Sequence, residues 1–468
     1  MAILMTVVSG IFVACGDDDE GNDMTVIIDD NGNTNSGVRF VAIDEENFYI
    51  NDVKYTVVDG HLEVSDYDKD AILGKVKIIS DLVYKTNHYK VLSIRENAFC
   101  YCKSLTSVII PNNVTCIGDY AFFCCIGLTS IIIPNSVTSI GEGTFAKSSG
   151  LRSVIIPNSV ISIGNGAFED CSSLTSVIIP NSITSIGRVT FYGCSSITSI
   201  NIPNSVISIG DGAFSGCSSL ASVTIPNSVT SISVSAFSGC SSLTSVTIPN
   251  SVTSIGKSSF DGCSGIASIN LPNSVISIGD EAFHNCISLT SITIPNSVTF
   301  IGVLAFAECN SLTSLTIGNG VMSISNSSFS GCSSLASIKV ESGNMTYDSR
   351  NNSNAIIETM TNTLIRGCKN TIIPNSVTSI AESAFGKCTG LTSIVIPNNV
   401  VQIGDYSFWG CTDMTSIELL SDNPPALSSD NNSFEYTNNC PIYVPLKSID
   451  LYKNASGWKK YDNRIKAK

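Results

Sequence analysis

The chain has 468 residues, a formal charge of −14 and 43% hydrophobic side chains, ample for a sizeable core. Residues 16–96 carry 18 acidic and 8 basic side chains, whereas residues 421–468 carry 5 and 7. No basic patch is present to neutralise phosphates, so nucleic acid is not an expected partner. The acidic front end reads as a solvated spacer that repels anionic membrane surfaces.

Residues 1–15 read MAILMTVVSGIFVAC. This run is too short to span a bilayer and fits the apolar region of a signal peptide. Phe12-Val13-Ala14-Cys15 resembles a bacterial lipobox with Cys15 as the lipidated residue. The following Gly16-Asp17-Asp18-Asp19-Glu20 resembles the acidic surface-export signal of Bacteroidota lipoproteins. The alternative is an ordinary cleaved signal peptide without an anchor. Two departures stand out: no Lys or Arg precedes the apolar run, and Phe12 stands where Leu is usual. A true start upstream of Met1 would account for the first. Residues 16–37, acidic and rich in Asn and Gly, read as a flexible tether.

Residues 38–96 read as divergent first coils, and residues 97–340 as repeats of 23 residues. Phe recurs without slippage at Phe99, Phe122, Phe145, Phe168, Phe191, Phe214, Phe237, Phe260, Phe283, Phe306 and Phe329. After an irregular island at 341–370 it returns in residues 371–420, at Phe385 and Phe408. A period this short and strict predicts a solenoid. In Leu220 to Pro226, Val223 and Ile225 alternate with Ser222 and Thr224, the period of a half-buried strand. Pro226, lacking an N–H, ends the strand, and Asn227 sits in the turn. Val229 and Ile232 are expected to point inward from the opposite wall, with the Phe237 ring filling the interior of the next coil. One coil cannot bury its own apolar face; stacked coils can, with strands pairing in parallel at about 4.8 Å. The expected fold is therefore a repeat solenoid, mostly β and loop, with a parallel β-sheet along one side.

The unit L-x-x-I-x-I-P…I-G-x-x-A-F-x-x-C-x-x-L resembles the BspA-like, or Treponema-type, leucine-rich repeats. The resemblance spans roughly residues 48–466. It implies a right-handed coil stack capped at both ends, and a bacterial surface protein. Ile442-Tyr443-Val444-Pro445, Tyr452, Trp458 and Tyr461 look like the family's closing segment, which places the C-terminal cap at 421–468. In the island, Tyr347, Asn351, Asn352, Asn354 and Ile365-Arg366-Gly367-Cys368 resemble a segment seen in relatives. A longer coil that stays in the stack and a dedicated binding loop both remain open for it.

Twelve of the eighteen cysteines, from Cys102 and Cys125 to Cys388 and Cys411, occupy one repeat position, with Ser148 taking the slot once. Side chains stacked about 5 Å apart and pointing the same way suit buried thiols better than disulfides. No cysteine or histidine spacing fits a metal; His61, His88 and His284 stand apart. No cofactor is expected. Variety is confined to the pair after each I-G, such as Asp119-Tyr120, Arg188-Val189, Lys257-Ser258 and Asp280-Glu281. No nucleophile or histidine accompanies these acids, so the chain reads as a non-enzyme with charged loop tips.

If Val223 and Ile225 face inward, Ser222 and Thr224 face outward. The Thr224 position is isoleucine at Ile109, Ile132, Ile155 and Ile178, then Ser/Thr/Asn-like through Asn201 to Thr316. Four stacked isoleucines on an outer face mark an expected binding stripe, unless the N-terminal cap covers them. The structural ladder comprises Phe122, Phe145, Phe168, Phe191, Phe214, Phe237, Phe260, Phe283 and Phe306. The expected function is non-catalytic adhesion from a lipid-anchored, surface-exposed position on the outer membrane. The resemblance implies host extracellular-matrix or cell-surface glycoproteins, or other bacteria, as partners, with membrane contact only through the lipid. The runner-up is a surface glycan-capture accessory lipoprotein, for which the repeats offer few aromatic platforms beyond Tyr192 and Trp409.

Overall fold

The computed structural model describes residues 24–28, 34–35, 38–71, 73–325, 327–427 and 432–468. The signal segment with Cys15, and the tether up to residue 23, lie outside the described residues; Thr25–Ile28, expected as tether, is instead a strand paired in parallel with Asp81–Tyr84, because Val26 and Ile28 bury in the core. The chain forms a parallel-strand solenoid of about 16 turns with little helix.

Each coil contributes two short strands, so the stack carries two parallel ladders where one sheet was expected. The first contains the strands before each Pro-Asn turn. Ser107–Ile109, Ser130–Ile132, Ser153–Ile155 and Ser176–Ile178 pair in register. Single bridges then lead through Ile178 and Asn201 to Ser222–Thr224 and Ser245–Thr247. The ladder lapses at residues 268–270 and resumes from Ser291–Thr293 to Ser337–Val340. The second ladder comes from the Ser-Ile dipeptide before each glycine, as in Cys116–Ile117, Ser139–Ile140 and Ser162–Ile163. A dipeptide is too short to show period-2 alternation, which is why the pattern exposed only the first ladder.

The glycine after that dipeptide is needed for room. A Cβ on Gly141 would lie 2.6 Å from the backbone N of Asp119 in the preceding coil. Where Ser233 takes the slot, its hydroxyl donates to Ile209 O at 2.5 Å. The second ladder is interrupted there, between Ser208–Ile209 and Ser231–Ile232, and also between Ser162–Ile163 and Ser185–Ile186, where glycine holds the slot.

The interior is a column of phenylalanines. From Phe99 to Phe329 successive rings lie 5.1–5.5 Å apart at 3–14°. That spacing follows from the coil pitch, and offset stacking at this distance is favourable. Tyr67 lies on Phe99 at the N-terminal end. It belongs to an antiparallel meander of Phe40–Ala42, Asn47–Ile50, Val53–Val58 and His61–Tyr67, whose last strand joins the second ladder through Asn87–Ile94. A second column runs Phe385–Phe408–Phe434 and ends on Trp458 and Tyr461. Trp458 Nε1 donates to Pro425 O at 2.8 Å and the Tyr452 hydroxyl to Ser421 O at 2.9 Å, so the closing aromatics bury without stranding their polar atoms.

The island separates the two columns. It is an antiparallel hairpin of Tyr347–Asp348, Ala355–Glu358 and Thr363–Gly367, which rejoins the stack by pairing in parallel with Ser379–Ile380. It stays in the stack but reverses strand direction. Its middle strand is a septum: Ile356 packs into the first core, while Ala355 and Ile357 pack into the second. Asn351, Asn352 and Asn354 hold left-handed φ of 52–57°, a region in which asparagine is at home.

Candidate functional site

Ile109, Ile132, Ile155 and Ile178 lie directly opposite one another across the first ladder. They are 44%, 63%, 62% and 69% exposed. The N-terminal cap does not cover them; its strand Lys75–Lys77 adds a neighbour beyond Ile109, with Lys77 opposite that residue. Asn201 stands opposite Ile178 at the other end. The stripe is thus an apolar row four coils long, bounded by a cation and an amide. Beside it runs a shallow groove of about 480 Å³, walled by Ile132, Ile155, Ile178 and the turn residues Pro134, Pro157 and Pro180. The same row turns apolar again beyond the island, at Ile372 and Val395. The sequence pattern missed Ile372, because the strand before it has Thr371 in an inward slot and is not paired as a ladder strand.

Exposed aromatics are more clustered than the repeats suggested. Phe123 packs edge-on against Tyr101 and Tyr120, with Lys147 Nζ 5.5 Å from its ring centre. Trp409 packs edge-on against Tyr436. Phe123, Tyr192 and Trp409 share the position just after the column phenylalanine, and that shared offset was the available signal.

The cysteine ladder is a hydrogen-bonded device. Ten of the twelve thiols, all but Cys102 and Cys388, donate to the carbonyl of the phenylalanine one coil back, as in Cys171 Sγ to Phe145 O at 3.1 Å and Cys240 Sγ to Phe214 O at 3.2 Å. Ser148 makes the same bond to Phe122 O at 2.7 Å, which explains its tenure of the slot. Burial pushes the Cys217 and Cys263 thiols up to about 12, and those of Cys332 and Cys388 up to about 11, so they stay protonated at neutral pH. All the cysteines among the described residues are free, and Cys116 alone of these is exposed.

The loop-tip carboxylates have structural partners. Asp119 Oδ1 accepts the Glu142 N–H at 2.7 Å, and Asp280 Oδ1 accepts the Val303 N–H at 2.8 Å. His284 pairs with Asp261 at 2.7 Å and His88 with Asp81 at 3.0 Å, one coil or one hairpin apart. Among the described residues, no cluster of three or more His, Cys, Asp or Glu side chains could hold a metal. None of their helices is long and apolar enough to cross a membrane.

The family description "BspA type Leucine rich repeat region (6 copies)" matches residues 82–195, 138–267, 184–302, 253–363 and 366–456. The chain belongs to the BspA-type leucine-rich repeat family. This BspA-type chain is 29% identical to a solved leucine-rich repeat protein from Bacteroides ovatus, over 92% of its own length and 99% of the other, with a TM-score of 0.62. A solved leucine rich cell surface protein from Faecalibacterium prausnitzii is 25% identical, over 85% of this chain and 99% of that one, with a TM-score of 0.48. No curated protein matches the chain. BspA-type membership points to a binding or adhesion role on a scaffold of a typically non-catalytic kind.

Proposed function

We propose that this chain is a lipid-anchored surface protein of the outer membrane that mediates adhesion. Its partner is a host matrix or cell-surface glycoprotein, or a protein on another bacterial cell. The observation that carries this reading is the isoleucine row: four large apolar side chains, 44–69% exposed, in register on a face that continues from Asn201 to Thr316 as serine, threonine and asparagine. A contiguous exposed apolar patch costs solubility and usually marks a contact surface. Burying it supplies roughly 25 cal/mol per Å² of apolar area, and the repeated polar row beyond it adds weak contacts that act through avidity.

Saturable solid-phase binding to one member of a panel of matrix glycoproteins is the expected result. Replacing Ile109, Ile132, Ile155 and Ile178 together by Thr should weaken that binding at least tenfold and leave the fold intact, since none of the four contributes to the core. Undiminished binding by the variant would remove the isoleucine row from the account. The anchor rests on Cys15: Cys15→Ser should move the protein from the detergent to the aqueous phase on phase partitioning, and retention in the detergent phase would refute lipidation there.

A glycan-capture role is the second reading. The exposed clusters around Tyr101 and Tyr436, 59% and 68% exposed, favour it because ring faces pack on sugars. Polysaccharide binding that survives the four-isoleucine substitution would support this reading over the first.

A further inference from the structure

The island encloses a cavity of about 200 Å³ between the coil that ends the long phenylalanine column and the one that begins the short column. Phe329, Tyr347, Glu358, Arg366, Glu382 and Ser383 are among its walls. Arg366 is 5% exposed. Its Nη1 donates to Ser383 O at 3.0 Å, and Nη1 and Nη2 reach Gly386 O at 3.5 and 3.4 Å. Its Nε–H is enclosed and has no acceptor.

The contrast with the other buried arginine is instructive. Arg464 donates from Nε to Cys440 O at 2.9 Å, from Nη1 to Phe434 O at 3.0 Å and from Nη2 to Thr437 Oγ1 at 2.7 Å, which accounts for all three nitrogens. Arg366 meets only carbonyl oxygens, through three of its five N–H groups, and it forms part of a cavity wall. A buried guanidinium without a counter-charge is costly, and charged donors form the strongest hydrogen bonds when an anion is supplied.

The same walls carry acid. Glu358 is half-buried, and its Oε2 accepts the Thr361 hydroxyl at 2.5 Å; Glu382 is exposed. A simple anion would satisfy Arg366 and be repelled by Glu358. A simple amine would meet the reverse. A neutral polyol would leave the guanidinium without a counter-charge. A molecule bearing a carboxylate and an ammonium close together satisfies both. The volume lies below the roughly 300–1,000 Å³ of drug-sized sites, so the ligand is about one residue in size.

We propose that the island cavity binds a free α-amino acid, its carboxylate on the Arg366 guanidinium and its ammonium facing Glu358. This site is independent of the isoleucine row.

Calorimetric titration of the full chain with L-alanine, L-serine and L-leucine tests it, alongside propionate and ethylamine, which are L-alanine without its ammonium and without its carboxylate. Saturable binding of at least one amino acid at one site per chain is expected, with propionate and ethylamine at least tenfold weaker. Glu358→Gln preserves shape and should weaken the amino acid about tenfold; an unshifted thermal midpoint certifies its fold. Arg366→Lys retains the charge without the planar fork and should abolish tight binding. No saturable heat with any amino acid, propionate as tight as L-alanine, or full affinity in Glu358→Gln would each overturn the proposal. The four-isoleucine variant should bind the amino acid unchanged, so the cavity and the adhesive face stand or fall separately.

Discussion

Phe237→Ala is expected to lower the unfolding free energy by about 3–5 kcal/mol, read as a fall in the denaturant midpoint. The ring is fully buried and lies between Phe214, at 5.4 Å and 8°, and Phe260, at 5.5 Å and 8°. Its backbone contacts do not depend on the side chain: the Phe237 N–H donates to Ser259 O at 2.9 Å, and its carbonyl accepts Cys263 Sγ at 3.1 Å. Truncation therefore removes burial and two ring contacts, each worth about 0.5–1.5 kcal/mol beyond area. The neighbouring rings cannot slide in to fill the gap, since each is held by its own coil. Phe329 supplies an internal control. It stacks on Phe306 but has no ring partner on the island side among the described residues. Phe329→Ala should thus cost less than Phe237→Ala. Equal losses would show that column stacking contributes nothing beyond apolar area.

The column was legible because its cause repeats. An uninterrupted 23-residue phenylalanine period leaves one geometry, and the isoleucine row followed from the alternation in Ser107–Ile109 and its successors. What the sequence concealed was either too short to have a period or made from parts that occur once. The second ladder is built of dipeptides such as Ser139–Ile140. The thiol-to-carbonyl bonds join residues 26 apart, and nothing local marks Cys171 as a donor to Phe145. The loop-tip aspartates looked like solvated charge, yet Asp119 and Asp280 bond the next coil's backbone. The island is the extreme case. In the sequence Arg366 is one residue of an irregular segment, and only its pairing with the septum strand Ala355–Glu358, whose side chains alternate between two cores, reveals that it is buried.

The island also sets the second large effect. Gly367→Ala should destabilise the chain by about 2–3 kcal/mol. A Cβ at this position would lie 2.1 Å from Phe385 Cε1 and 2.4 Å from its Cζ. Phe385 has no freedom to retreat: it is fully buried and stacks at 4.9 Å on Phe408, the next ring of the second column. Nor can Gly367 move away, because its N–H donates to Ala384 O at 2.9 Å and its strand pairs Gly367 with Ala355. One extra methyl must then displace either the ring or the strand, and overpacking of this kind costs about 1–3 kcal/mol, with about 1 kcal/mol more if the hydrogen bond is lost. A double-mutant cycle decides whether the ring is the cause. Phe385→Leu alone should destabilise by opening a cavity. Combined with Gly367→Ala, the pair should lose less than the sum of the two, because the methyl occupies space the ring has vacated. Strictly additive losses would place the penalty in the Gly367 backbone, and would mean that the first ring of the second column is not what fixes the glycine.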